Sequence, residues 1–119
     1  MNDKNLLIVE DESTAAMLLK KFLNKKGFDK ITILTNGKDA IDFVNNSETN
    51  LIFMDVVLEG ELDGIETVKI INKKKRIPVI YTTGYQDNET RKRIKRTNHY
   101  DYFVKPLILE DIGNALDRL

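Results

Sequence analysis

Three stretches of the chain are apolar without a break: Leu6-Leu7-Ile8-Val9, Leu51-Ile52-Phe53-Met54 and Val79-Ile80-Tyr81. Such runs predict strands buried on both faces, as in a parallel sheet covered by helices on either side. Ile31-Thr32-Ile33-Leu34 alternates partly, as an edge strand with one wetter face would, and Tyr102-Phe103-Val104 supplies a fifth strand. Helical periodicity fills the intervals. Ala15, Leu18, Leu19, Phe22 and Leu23 mark a first helix, which Ser13 or Asp11 is placed to cap and which Lys25, Lys26 and a C′ Gly27 close. After the Asn36-Gly37 turn, Ala40, Phe43 and Val44 mark a second helix, and Ile65, Val68 and Ile71 a third that ends in the polar run 72–76. A fourth segment, from Asp87 to Thr97, holds one large apolar residue, Ile94, which predicts weak docking and low local stability. Leu109, Ile112, Leu116 and Leu119 form one face of a last helix. Strands and helices alternate five times, which predicts an α/β domain with a parallel sheet and helices on both faces.

Composition narrows this picture without changing it. A chain of 119 residues fits one domain, read here as residues 1–119. Lys+Arg and Asp+Glu both number 19, so no global charge points to nucleic acid or a membrane surface. There is no cysteine, which excludes a disulfide framework. No run approaches membrane-spanning length, and the start lacks the apolar core of a signal peptide. A cytoplasmic domain that binds neither nucleic acid nor membrane is the expectation.

The chemistry sits at the strand ends. Glu10 and Asp11 follow the first strand, Asp55 the third, Thr83 the fourth and Lys105 the fifth. Taken singly, Asp11 reads as a helix cap and Asp55 as a turn residue. If all five strands are parallel, however, these groups meet at the sheet's carboxyl edge, where open α/β sheets bind ligands. Three carboxylates, a hydroxyl and an ammonium in one pocket are costly to desolvate as mere packing. They suit a hard cation with oxygen ligands, Mg²⁺ or Mn²⁺, and a phosphoryl group.

The ordered stretches Val9-Glu10-Asp11-Glu12, Phe53-Met54-Asp55, Asp63-Gly64, Pro78 to Gly84 and Tyr102-Phe103-Val104-Lys105-Pro106 span nearly the whole chain, and the set resembles the receiver domain of two-component response regulators. The resemblance implies a flavodoxin-like (βα)5 fold of strand order 2-1-3-4-5. It implies a signalling switch, not an enzyme acting on other substrates: the domain catalyses only its own phosphorylation and dephosphorylation. Asp55 would take a phosphoryl group from the phosphohistidine of a sensor histidine kinase or phosphotransfer protein. Asp11 would bind Mg²⁺ directly, Glu10 directly or through water, and Asp55 and the backbone carbonyl of Val57 would be further ligands. Lys105 and Thr83 would hold the phosphoryl oxygens, and Tyr102 would turn when Thr83 moves. The Lys105–Pro106 bond would be cis. Val57 and Tyr85 would border the path of the water that removes the phosphate.

Two features depart from the common pattern. The loop from Val56 to Leu62 is one residue longer, with Gly60 where proline is usual, so the path of the Val57 carbonyl is set differently. Gly84 stands where alanine is commoner, and it is small enough to let the phosphoryl group approach.

Rival readings fit less well. A haloacid dehalogenase-type phosphatase needs an Asp-x-Asp pair after the first strand, where this chain has Val9-Glu10-Asp11, and also a cap domain. A flavin module would set an anionic phosphate against three acids. A receiver that has lost its chemistry and acts only as a scaffold conflicts with the presence of Asp11, Asp55, Thr83 and Lys105. His99, in a polar stretch, reads as a surface residue, and the basic run from Arg91 to Arg96 as a solvated face. Output is expected through the face of helix four, strand five and helix five. That face sets Arg91, Lys92, Arg93, Lys95 and Arg96 against Glu110, Asp111 and Asp117. It would serve either a two-fold homodimer or another protein, and the chain is either a stand-alone receiver or part of a longer product.

Overall fold

In a computed structural model, which describes residues 2–84 and 87–119, ten elements alternate along the chain. They are β1 (Asn2–Val9), α1 (Ser13–Lys25), β2 (Phe28–Leu34), α2 (Gly37–Asn46), β3 (Leu51–Asp55), α3 (Gly64–Asn72), β4 (Val79–Thr83), α4 (Asn88–Lys95), β5 (Asp101–Val104) and α5 (Leu109–Asp117). The sheet order is β2-β1-β3-β4-β5 and every pairing is parallel. The strand pattern predicts the parallel sheet, and its order is the flavodoxin-like one that the resemblance implies. Tyr85 and Gln86 lie outside the described residues.

The unbroken apolar runs are explained by which residue faces which layer. Side chains alternate across a strand, so Leu7, Val9, Ile52, Met54, Val79 and Tyr81 line one face, packed with Ala40, Val44, Ile65, Val68, Ile71 and Ile94 of α2, α3 and α4. Leu6, Ile8, Leu51, Phe53 and Ile80 line the other, packed with Ala16, Leu19, Leu23 and Ile112 of α1 and α5. With a helical layer on each side, β3 and β4 are buried along their full length, and their only polar residues, Asp55, Thr82 and Thr83, stand at the carboxyl ends. Edge strand β2 is at most half-buried throughout. Among the described residues no helix is long and apolar enough to cross a membrane.

Two helical faces differ from expectation. In α1 the buried stripe is Ala16, Leu19 and Leu23, while Leu18 is 58% exposed. The sequence carries two overlapping apolar stripes there; the sheet takes one. The other, Ala15 and Leu18, borders a groove beside Lys105, Pro106 and Leu107. The cap is Glu12, whose Oε1 accepts from the Ala15 amide at 2.6 Å, instead of Ser13 or Asp11, so Asp11 is free of that duty. Gly27, just past the C-cap Lys26, has φ 100°, as the C′ position requires. In α5 the helix stops at Asp117, so Leu119 is 47% exposed, and Gly113 and Ala115 are buried with Ile112 instead.

α4 behaves as its composition predicts: Ile94 is its one buried residue. Beyond its C-cap Arg96, Thr97 bonds the Tyr81 hydroxyl at 2.8 Å, and Arg93 reaches Asp63 of the α3 N-cap at 2.7 Å.

Candidate functional site

The parallel register carries the ends of β1, β3, β4 and β5 to one edge. Val9 pairs with Met54, Asp55 with Thr82, and Thr83 with Val104. Each chemical residue sits at, or one or two places beyond, one of these positions. Oxygens of Glu10, Asp11 and Asp55 all lie within 4.8 Å of one another. Lys105 reaches into the cluster, with Nζ 2.8 Å from Glu10 Oε1 and 3.1 Å from Asp55 Oδ2. Thr83 is buried at the end of β4. Tyr102, half-buried, packs on the core face that holds Tyr81 and Ile94. The Lys105–Pro106 peptide is cis.

The electrostatics follow from crowding and burial. Asp55 and Glu10 have side chains only 5% and 8% exposed. Desolvation, and then the charge of Glu10, push the Asp55 carboxyl up to about 6, although Lys105 pulls the other way. Burial works to lower the Lys105 ammonium, but the two carboxylates outweigh it and hold it above its ordinary value. One ammonium thus serves two carboxylates, and the third, Asp11, is half-buried beside them. Such a pocket gains from any further cation it can hold. Three carboxylates at this spacing are a donor set that fits a hard divalent ion with oxygen ligands.

The loop after Asp55 is built against its backbone. The Gly64 amide donates to Val56 O at 2.8 Å, and a side chain at Gly64 would collide with the Asp55 carbonyl. Gly60, where proline is usual in the common pattern, has φ 93°, which proline cannot adopt. The longer loop is pinned by a bridge from Glu59 to Asn36, next to the start of α2. Val57 was expected to contribute its carbonyl; the contact seen here is its amide donating to Asp55 Oδ1 at 3.3 Å, which side-chain reasoning does not reveal. The Lys105–Glu10 pair was likewise missed, because its partners are 95 residues apart. Convergence of strand ends was the signal that could have found it.

Comparison with known proteins agrees with this geometry. The profile of the response regulator receiver domain matches residues 6–117. The chain is 30% identical over 119 residues to the sporulation initiation phosphotransferase F of Bacillus subtilis, covering 99% of this chain and 94% of that protein. It is 29% identical over 115 residues to the transcriptional regulatory protein ZraR of Escherichia coli, covering 96% of this chain but only 26% of that protein's length. A two-component response regulator from Clostridium difficile, solved by crystallography, superposes with a TM-score of 0.90 at 26% identity, covering 98% of this chain and 94% of that one. The chain therefore belongs to the response regulator receiver domain family.

Proposed function

We propose that residues 1–119 act as one receiver domain, a phosphorylation-driven switch of the cytoplasm, with Asp55 as phosphoacceptor. The observation that carries this reading is the contact of Lys105 Nζ with Asp55 Oδ2 inside a cluster of three carboxylates. An Asp55 oxygen attacks the phosphorus of a phosphohistidine on a histidine kinase or phosphotransfer protein. An O–P bond forms, the P–N bond breaks, and the imidazole leaves with the bonding pair and takes up a proton. Lys105 leaves its two carboxylates to neutralise the incoming phosphoryl oxygens as a point charge, and the Thr83 hydroxyl donates to the same group. Asp11, Asp55, Glu10 and the Val57 carbonyl are the groups that would hold Mg²⁺ or Mn²⁺. When bound, that ion supplies positive charge against the phosphoryl oxygens.

Two surfaces support the rest of the reading. Beside Lys105, an apolar groove edged by Ala15, Leu18, Pro106, Leu107 and Leu109 offers a seat to the protein that delivers the phosphohistidine. Output runs through α4, β5 and α5: drawing Thr83 toward the phosphoryl group lets Tyr102 turn inward and α4 re-dock. The resulting face serves a second copy or another protein. Sedimentation with beryllofluoride decides between these, since a monomer at high concentration and low salt removes the homodimer.

The central experiment is intact-mass measurement after incubation with Mg²⁺ and acetyl phosphate. One phosphoryl group is expected on the wild type and none on Asp55→Asn; equal labelling of the variant overturns the assignment.

A further inference from the structure

Asp63 is shared between two helices. Its Oδ1 accepts from the Glu66 amide at 2.8 Å and so caps α3, while its Oδ2 accepts from the Arg93 guanidinium of α4 at 2.7 Å. The Asp63 amide donates in return to Glu66 Oε1 at 2.9 Å. Asp63 is also the last residue of the loop that leaves Asp55. The next residue, Gly64, donates its amide to Val56 O at 2.8 Å and lies against the Asp55 carbonyl. One end of the Arg93–Asp63 pair is thus fixed relative to the phosphoacceptor.

The other end is not. α4 has no side-chain cap and buries Ile94 alone. Beyond its C-cap, Thr97 ties the chain to β4 through the Tyr81 hydroxyl at 2.8 Å, but the first turn, from Asn88 to Arg91, is exposed save for half-buried Thr90. Among the described residues, Arg93 makes the one ion pair between α4 and the rest of the domain. The pair lies near enough to Tyr81 to act on its buried hydroxyl. Tyr81 and Thr83 stand two places apart on β4 and share a face of the sheet. Tyr102 packs on that same face. The pair therefore closes the gap between the α3 cap and α4 above the layer in which Thr83 and Tyr102 move. Glu89, one turn before Arg93, also attracts the guanidinium. It offers a partner within α4 when the helix moves away, so opening strands no charge.

We propose that the Arg93–Asp63 pair is a latch that holds α4 in its resting position and opposes phosphorylation of Asp55, a role that rests on the phosphoacceptor reading above. When α4 re-docks, Asp63 stays with the loop and the pair opens. Linkage then requires the pair to weaken phosphoryl binding at Asp55 by the factor by which that binding weakens the pair. A pair made equally in both positions of α4 would add to stability alone and leave binding untouched.

The probe is beryllofluoride, titrated calorimetrically into the full chain in saturating Mg²⁺. Charge and latch predict opposite signs: loss of a nearby cation weakens binding of an anion, whereas release of a latch strengthens it. Arg93→Ala is expected to bind beryllofluoride about two- to fivefold more tightly than wild type, the range open to a partly exposed ion pair. Lys92→Ala, at the exposed neighbouring position, should bind no more tightly than wild type. In an Asp63→Asn background, whose side-chain oxygen still caps α3, Arg93→Ala should add less than about 1.5-fold, because its partner is already gone. Circular dichroism checks that each variant is folded. Equal or weaker binding by Arg93→Ala overturns the latch and leaves Asp55 as the phosphoryl site. So does an equal gain from Lys92→Ala, or an undiminished gain from Arg93→Ala in the Asp63→Asn background, since either assigns the effect to something other than the pair. A wild type that fails to bind beryllofluoride overturns the phosphoacceptor reading, and the latch with it.

Discussion

Helices α3 and α4 are neighbours in sequence and nearly equal in length, at 9 and 8 residues, yet they are held in opposite ways. α3 opens with a reciprocal capping box: Asp63 Oδ1 accepts from the Glu66 amide at 2.8 Å, and Glu66 Oε1 from the Asp63 amide at 2.9 Å. It buries Gly64, Ile65, Thr67, Val68 and Ile71, and Gly64 rests on the backbone of Asp55. α4 has no side-chain cap and buries Ile94 alone. Helices this short are marginal without tertiary packing, so α3 is bolted to the backbone of Asp55 while α4 is clasped by Ile94, the Arg93–Asp63 pair and the Thr97–Tyr81 bond. A switch needs both kinds of element: one that holds the site still, and one whose position changes for little free energy.

The sharpest break of this comparison is the same truncation made in each helix. Ile65 and Ile94 are 0% and 1% exposed, so burial alone predicts equal costs. We expect Ile65→Ala to lower global stability by about 2–5 kcal/mol. Ile94→Ala should instead free α4 locally, giving fast amide exchange confined to residues 88–97 and a smaller shift in the denaturation midpoint. Equal midpoint shifts without local exchange would show that α4 unfolds only with the whole domain.

The carboxylate of Asp55, to whose backbone α3 is bolted, is itself uncomfortable. With its folded-state pKa near 6, above its ordinary 3.8, Asp55 binds a proton more tightly in the folded chain than in the unfolded one. Its stabilising contribution is therefore complete below about pH 4 and is lost as pH rises through about 6. Metal-free Asp55→Asn should melt higher than wild type at pH 8, by about 1–3 kcal/mol in stability, and the advantage should vanish near pH 4. Mg²⁺ should raise the melting temperature of wild type more than that of the variant. Thermal scans across this pH range, with and without Mg²⁺, check both; a variant that melts lower at pH 8 would remove the crowded-acid account.

Smaller effects separate the cap from the clasp. Asp63→Ala removes both the α3 cap and the partner of Arg93, and should cost about 1–2 kcal/mol. Arg93→Ala removes only the clasp on α4, through a pair whose side chains are 31% and 29% exposed. It should cost less than about 1 kcal/mol while accelerating exchange in α4. Adding Arg93→Ala to Asp63→Ala should loosen α4 no further, because the two share one interaction.

Smallest in free energy is access of water to the phosphoryl group. Val57 is 50% exposed at the rim of the site. Val57→Asn gives attacking water a hydrogen-bonding partner and should speed loss of phosphate severalfold with little change in melting temperature. Phosphate release followed over time checks it. Tyr85, the other residue expected on that path, lies outside the described residues.

Most of the architecture was legible because it depends on short-range regularities. Runs such as Leu6–Val9 and Leu51–Met54 have no polar position to spare, which demands cover on both faces, and parallel neighbours then require helical crossovers. The residues of the acid pocket were legible for the same reason, since each stands at the end of such a run. Less legible was which of two apolar stripes α1 would bury. Ala15 with Leu18 and Ala16 with Leu19 are equally regular, and only the position of the sheet ranks them.

By itself, then, the sequence determined five strands, five helices, the weakness of α4 and the edge at which Glu10, Asp11, Asp55, Thr83 and Lys105 gather. These follow from periodicity, burial and the direction of parallel strands, all local or topological. Only the tertiary structure decided that Lys105 is shared between Glu10 and Asp55, that Arg93 clasps the α3 cap and that Gly60 takes a φ closed to proline. The side-chain pairings join residues 30 to 95 positions apart on different elements. Such pairings depend on distances of a few ångströms, which no pattern along the chain encodes and packing alone sets.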